Sequence, residues 1–385
     1  MQPSDLRVAL FSGNYNYTRD GPTQALNLLV GFLLRHGVAV RIYAPTTSVP
    51  AFEHTGDLVS VRSIALPGER GEYRMALGLP GAIRRDLKAF GPTIVHLSAP
   101  DILGHRAVSW ARARHIPCVA SLHTRFETYL RYYHAGMLEP LLVGVQKRFY
   151  ERVDRVMPPA ESMAAVVRGW GVKTPMAIWS RGIDHDRFTP ARRDLAWRRS
   201  LGLGDDDVAV GFLGRVVKEK GLDVFAEVMA KLRRRGVPAR TLVVGEGPAQ
   251  AWFAEQVPDA VFAGFQSGDD LGRAVASMDV FFNPSVTETF GNVTLEAMAA
   301  GVPVVAANAT GAIDLVEPGI TGFLVPPRDC EAYADAIARI VAQPDLRAGM
   351  GAAGHHKASG YRWDAANQAV LDVYLELATQ AANQS

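Results

Sequence analysis

Two carboxylates eight positions apart, Glu288 and Glu296, open the chemical reading of this chain. They lie in the run Ser285-Val286-Thr287-Glu288-Thr289-Phe290-Gly291-Asn292-Val293-Thr294-Leu295-Glu296. The first falls in an expected loop after a strand, the second inside an expected helix. A loop running into a helix start presents free backbone N–H groups, and the helix dipole adds positive potential there, so a diphosphate fits. Gly291 lets the chain approach a ligand without a Cβ. A carboxylate one turn inside the helix can accept two hydrogen bonds from a ribose diol, while the loop carboxylate can grip sugar hydroxyls. Taken alone, the same spacing suits a helix cap and a solvated face.

The cations that such a ligand needs stand in Gly214-Arg215-Val216-Val217-Lys218-Glu219-Lys220-Gly221. An apolar strand ends in Gly214, and Arg215 and Lys220 follow before a helix begins. Arg offers a phosphate bidentate geometry and Lys a mobile point charge, and together they can neutralise a departing diphosphate. Gly245-Glu246-Gly247-Pro248 makes a tight glycine turn after a second strand. Near the start, Gly13 and Gly21 flank a polar loop, and a helix opening at Gly21-Pro22 could offer amides to the same diphosphate. That loop is not the G-x-G-x-x-G fingerprint of dinucleotide cofactors. His123 follows the strand expected over 117–122, at an end where a ligand-facing residue belongs. Arg181 and Asp184 fit a hinge or turn, and Arg19 and Asp20 lie where an acceptor could be touched.

Positioning these residues requires strands alternating with helices, and the chain provides them. Strands are expected over 8–11, 39–43, 93–97 and 117–122, with a helix over 22–35 whose Ala25, Leu28, Leu29, Phe32 and Leu33 form a 3.6-residue stripe. The pattern restarts after Asp184, with strands over 208–213, 241–244, 279–282 and 302–306 and helices over 222–234 and 294–300. This predicts an α/β chain of two doubly wound, Rossmann-like domains with parallel sheets and an interdomain cleft. The expected division is 1–180 for the first domain and 181–363 for the second. The amphipathic end, 364–385, would pack back on the first domain. A length of 385 residues fits two cores.

Composition narrows the class further. Residues 1–180 carry 21 Lys/Arg against 13 Asp/Glu, whereas residues 181–385 carry 20 against 26. A basic first half suits an anionic partner such as a lipid surface, or else a solvated basic face. Leu141, Leu142, Val145 and Phe149, on the expected helix that carries Lys147-Arg148, are expected in the core. No apolar run approaches the roughly 20 residues needed to span a bilayer, and no leader peptide is expected ahead of the first strand. Two cysteines, Cys118 and Cys330, support neither a disulfide scaffold nor a zinc site and suit a cytoplasmic protein. Asp205, Asp206 and Asp207 precede a strand rather than follow one, so metal independence is expected.

With these residues in place, the chain resembles a family-4 glycosyltransferase, a retaining enzyme of the GT-B fold. The resemblance rests on Glu288 and Glu296, on Gly214-Arg215 with Lys220-Gly221, on 244–248 and on the early glycine loop. Ser121-Leu122-His123-Thr124, Tyr129, Tyr132-Tyr133, Leu138-Glu139-Pro140 and Trp179-Ser180-Arg181-Gly182-Ile183-Asp184 are similar to one branch. That branch holds mannosyl-, sulfoquinovosyl- and glucuronosyltransferases acting on diacylglycerol-type lipids.

The resemblance implies roles, with 1–180 as the acceptor-binding domain and 181–363 as the nucleotide-sugar-binding domain. Glu288 would bind donor-sugar hydroxyls beside the Phe290 and Gly291 amides, and Arg215 and Lys220 would hold the diphosphate. Asn292, Val293 and Thr294 would assist at the helix start, Glu296 would hold the ribose, and Gly264, Phe265 and Gln266 would lie against the base. His123 would stand near the donor sugar and Gly21 in the phosphate loop. The catalytic set is then Glu288, His123, Arg215 and Lys220, with no cofactor and no metal. One departure is Asp20-Gly21-Pro22, where many relatives carry adjacent glycines.

The implied reaction moves a hexose or hexuronic acid from a UDP- or GDP-sugar to a membrane-lipid hydroxyl. Departure and attack occur on one sugar face. The expected setting is the cytoplasm, with peripheral association at the inner face of the cell membrane, and no nucleic acid is expected as a partner. A soluble glycan or metabolite acceptor, a nucleotide-sugar epimerase and a non-catalytic sugar-nucleotide binder remain alternatives. An epimerase would form product without an acceptor and gives Glu288 and Glu296 no task.

Overall fold

The chain forms two α/β units, each built on its own six-stranded parallel sheet. A computed structural model describes residues 1–18, 20–65, 73–128 and 136–384. The first unit takes in the chain up to Glu127, Met137–Arg181 and the segment from Trp363 onward. The second is built on Gly182–Arg362. Arg19, Tyr129, Tyr132 and Tyr133, named from the sequence, lie outside the described residues.

In chain order the first unit contains β1 (Arg7–Phe11), β2 (Ala39–Ala44), β3 (Asp57–Ser60), the antiparallel pair β4 (Ser63–Ala65) and β5 (Arg74–Ala76), then β6 (Ile94–Leu97), β7 (Cys118–Ser121) and β8 (Arg155–Met157). The sheet runs β3-β2-β1-β6-β7-β8. Successive side chains of β1 alternate between faces: Val8 and Leu10 join one core cluster, Ala9 and Phe11 the other. The helix Gly21–Arg35 covers the first face with Leu26, Leu29 and Leu33. The last helix, Trp363–Ala382, adds Val370, Leu371 and Tyr374 to that same cluster.

The second unit repeats the plan with β9 (Val208–Leu213), β10 (Ala239–Val244), β11 (Val261–Phe262), β12 (Val280–Asn283), β13 (Val304–Ala307) and β14 (Gly322–Val325), ordered β11-β10-β9-β12-β13-β14. All six residues of β9 are buried. Its core joins Phe212, Phe225, Phe253, Phe282 and Tyr333 from strands and flanking helices.

Both sheets share one topology: the first strand sits third from an edge, and the strand order reverses beside it. Such a reversal parts the connecting loops at the C-terminal ends of the strands and opens a crevice. In the first unit it falls between β1 and β6, in the second between β9 and β12.

The helix Glu139–Tyr150 departs from expectation. Leu141, Leu142, Val145 and Phe149 suit core positions by their i, i+4 spacing, yet only Phe149 is fully buried. Leu141 is 68% exposed and Val145 41%. Four residues overshoot a helical turn by about 40°, so each step back from Phe149 carries the apolar face toward water. The buried side centres instead on Gln146, Phe149 and Tyr150.

Candidate functional site

The β9–β12 reversal gathers the charged residues singled out above. After β9 the chain turns through Gly214, forms a single 3-10 turn over Lys218–Lys220 and reaches Gly221 at φ +74°. A Cβ on Gly221 would stand 3.1 Å from the Pro284 carbonyl oxygen, so glycine lets this loop press against the end of β12. That contact brings Lys220 Nζ to 2.5 Å from Glu288 Oε1. The ion pair is only partly exposed, with 29% and 14% of the two side chains accessible. Thr287 adds a hydroxyl bond to the Glu219 carbonyl at 3.4 Å. Arg215 stands on the same loop, exposed to solvent.

Beyond Glu288 the chain passes buried Phe290, turns at Gly291 (φ +90°) and enters the helix Asn292–Ala299. Thr294 N–H bonds back to the Gly291 carbonyl at 2.9 Å, while Asn292 and Val293 occupy the first turn, whose amides a helix cannot satisfy internally. Buried Asn283 donates to Thr294 Oγ1 at 3.2 Å, fixing this helix start to the end of β12. Glu296 follows on the second turn. Burial pushes its carboxyl up to about 8; Arg187 opposes that rise, and the Glu288 charge adds to it. Glu296 therefore keeps a proton at neutral pH and feels both neighbours electrostatically.

Arg187 had no signal in the sequence. It lies three residues past Asp184, whose Oδ2 is 3.3 Å from Arg187 Nη2. The helix Gly268–Ala276 pins its backbone, because a Cβ on Gly272 would fall 2.1 Å from the Arg187 carbonyl oxygen.

Gly245 and Gly247 serve loop packing. A Cβ on Gly245 would lie 2.0 Å from the Gly214 carbonyl oxygen, and one on Gly247 2.3 Å from that of Val216. The β9 and β10 loops thus touch backbone to backbone, with Val216 N–H bonding to the Glu246 carbonyl at 2.9 Å. The β11 loop is tied in as well. Gly245 N–H bonds to Gly264 O at 2.9 Å, and Phe265 N–H to Glu246 Oε1 at 3.1 Å. Gln266 folds its amide back to the Ala263 carbonyl at 2.6 Å. Phe265 itself is 62% exposed, an aromatic face held out at the sheet edge.

In the first unit Gly21 begins the helix Gly21–Arg35, but Asp20 caps it. Asp20 Oδ1 accepts from Thr23 N–H at 2.9 Å, and Asp20 N–H donates to Thr23 Oγ1 at 3.2 Å. Pro22 has no N–H, so among the described residues of this first turn the Gly21 amide is the group left for an anion. Opposite, a Cβ on Gly13 would stand 2.9 Å from Asp101 Oδ2. Asp101 caps the helix Ile102–Arg112 through the Gly104 amide, and burial pushes its carboxyl up to about 6 against that bond. Sequence reasoning passed over Asp101, which only the meeting of two loops brings to notice.

His123 follows β7, with Ser121 Oγ 2.8 Å from its Nε2 and Arg181 Nη2 3.1 Å from its Nδ1. Burial, and then the nearby Arg181 and His96, hold the ring well below the ordinary histidine range.

Two Rossmann-like parallel sheets, each carrying its polar loops at the strand-order reversal, define the GT-B class of fold. Among solved structures, sucrose-phosphate synthase from Thermosynechococcus elongatus superposes with a TM-score of 0.81 at 22% identity, over 97% of this chain and 99% of that one. The sequence matches the family described as Glycosyltransferase Family 4 over residues 20–187 and that described as Glycosyl transferases group 1 over 207–343. A GDP-mannose-dependent alpha-mannosyltransferase of Mycobacterium tuberculosis is 30% identical over 87% of this chain and 88% of its own length. Sulfoquinovosyl transferase SQD2 of Arabidopsis thaliana is 29% identical over 94% and 71%. The chain belongs to glycosyltransferase family 4.

Proposed function

We propose that the chain transfers a hexose or hexuronic acid, with retention of configuration, from a UDP- or GDP-sugar to a hydroxyl of a membrane lipid. The observation that carries the donor half is the meeting of Lys220, Glu288 and Glu296 at one strand-order reversal. Lys220 has three N–H donors, enough to hold Glu288 and a phosphate oxygen together. With Arg215 on the same loop and the Asn292 and Val293 amides at the helix start, it would offset the charge building on the departing diphosphate. These cations supply the positive charge, so the proposed reaction needs neither a metal nor a cofactor. Protonated Glu296 can both donate to and accept from a ribose diol, and exposed Phe265 offers a stacking face for the base. On a front-face course the departing phosphate oxygen takes the acceptor proton, leaving the protein to position and to stabilise charge.

Thermal-shift titration with UDP, GDP and their sugars tests this half. One nucleotide diphosphate should raise the melting temperature by several degrees at millimolar concentration. No shift with either would sink the donor assignment.

The lipid half draws on the first unit. A groove of about 560 Å³ is lined by Ile102, His105, Arg106, Val145, Arg148 and Arg152, among others. Arg106 and Arg148 are both exposed to solvent. Exposed Leu138, Leu141 and Val145 continue from the groove along one helix face. Basic and apolar side chains side by side suit an anionic bilayer surface, at about 1 kcal/mol per cation. No helix among the described residues is long and apolar enough to cross a membrane. Co-sedimentation with phosphatidylglycerol vesicles should exceed that with phosphatidylcholine at low salt, and acceptor assays should favour extracted lipid over soluble glycans. Turnover restricted to soluble acceptors would overturn this half alone.

A further inference from the structure

Five polar groups from distant parts of the first unit form one hydrogen-bonded line. Arg181 Nη2 lies 3.1 Å from His123 Nδ1, His123 Nε2 lies 2.8 Å from Ser121 Oγ, and Ser121 Oγ lies 2.8 Å from His96 Nε2. His96 Nδ1 then meets the hydroxyl of Tyr374 on the last helix. His96, Ser121, Arg181 and Tyr374 are buried, and the Trp179 ring closes edge-on against both imidazoles.

The direction of every proton follows from one end. A guanidinium has only donors, so His123 Nδ1 must accept. His123 is therefore neutral with its proton on Nε2, which it donates to Ser121 Oγ. The Ser121 hydroxyl proton then has His96 Nε2 as its acceptor. That leaves the His96 proton on Nδ1, donated to Tyr374. Burial holds both rings well below the ordinary histidine range and so supports the same states.

We propose that Ser121, His96 and Tyr374 are positioning residues that hold His123 as a fixed, neutral Nε2–H imidazole accepting from Arg181. Both ring nitrogens are then committed inside the unit, and His123 meets the donor as an oriented ring rather than as a proton carrier. The last helix takes part in the site through Tyr374, 278 positions along the chain from His96. The kinetic consequence rests on the proposed transferase reading, while the protonation pattern stands without it.

Nitrogen-15 NMR of the histidine-labelled full chain tests the pattern. From pH 5.5 to 8 the His123 signals should stay those of an Nε2–H tautomer and the His96 signals those of an Nδ1–H tautomer. Ser121→Ala should give His123 a mixture of tautomers. A His123 that titrates near 6.5, or carries its proton on Nδ1, would overturn the proposal. In transfer assays Ser121→Ala should lower kcat ten- to a hundredfold with donor KM within twofold. Ser121→Thr should restore most of that loss, and Tyr374→Phe should cost three- to tenfold. A Ser121→Ala kcat within twofold of the parent would refute the positioning role. Absence of transfer by the parent chain itself would sink the proposed function instead, and the tautomers alone would then decide.

Discussion

The two sheets have the same strand order and opposite chemistry at the place where that order reverses. In the second unit the β9 and β12 loops bring unlike charges together, Lys220 against Glu288, with Glu296 and Arg187 behind them. In the first unit the β1 and β6 loops meet over a small contact, Gly13 against Asp101, and the helix start beside them is already capped by Asp20. Desolvation holds two of its histidines, His96 and His123, neutral. One topology thus supplies two crevices, and the loops decide what each can hold. A crevice with cations and unsatisfied helix amides suits a diphosphate; one whose helix start is already capped has less to offer it.

That contrast can be broken by substitution. The largest effect should come from Glu288→Gln, which keeps the shape and removes the charge that holds Lys220. Turnover should fall about 10²- to 10³-fold, the scale of losing one preorganised electrostatic contact. Gly21→Ala in the first unit should cost far less, because one amide is at stake there. Equal losses at the two positions would erase the distinction between the crevices.

Gly245→Ala should rank next, as a stability effect. It forces a Cβ against the Gly214 carbonyl at φ +130°, and chemical denaturation should register about 3 kcal/mol of destabilisation. Phe265→Ala should follow, weakening nucleoside diphosphate binding about five- to tenfold if the exposed ring stacks on the base. Unchanged affinity in a calorimetric titration would remove Phe265 from the site.

The smallest and sharpest test is one of pH. Glu296 binds its proton up to about 8 in the folded chain, against an ordinary value of 4.5. Between those values the folded state holds a proton that the unfolded state has released, so this residue makes stability fall as pH rises. Melting temperatures at pH 5 and pH 8 should therefore lie closer together in Glu296→Gln than in the parent. An unchanged gap would mean that Glu296 is not held protonated.

Sequence reasoning reached the strands with strong β-branched runs, such as Val208–Leu213, and missed short ones such as Val261–Phe262, whose two residues carry no periodicity. The Lys220 and Glu288 elements were legible because each has local turn chemistry, a glycine and a strand end, that fixes where it must lie. Arg187, Asp101, His96 and Tyr374 were not. Their significance arises only when strand order brings distant segments together, and no local pattern encodes that. Leu141 and Val145 misled for a different reason: an i, i+4 apolar series looks like a core stripe until the rotation of the packed face is known.

On the proposed reading, Lys220 and the acidic pair address one sugar diphosphate. Isothermal titration of the parent and Lys220→Ala with the preferred nucleoside diphosphate, and with its uncharged nucleoside, tests it most directly. Lys220→Ala should lose at least tenfold in diphosphate affinity and keep the parent's affinity for the nucleoside. Equal diphosphate affinity in both chains would contradict it.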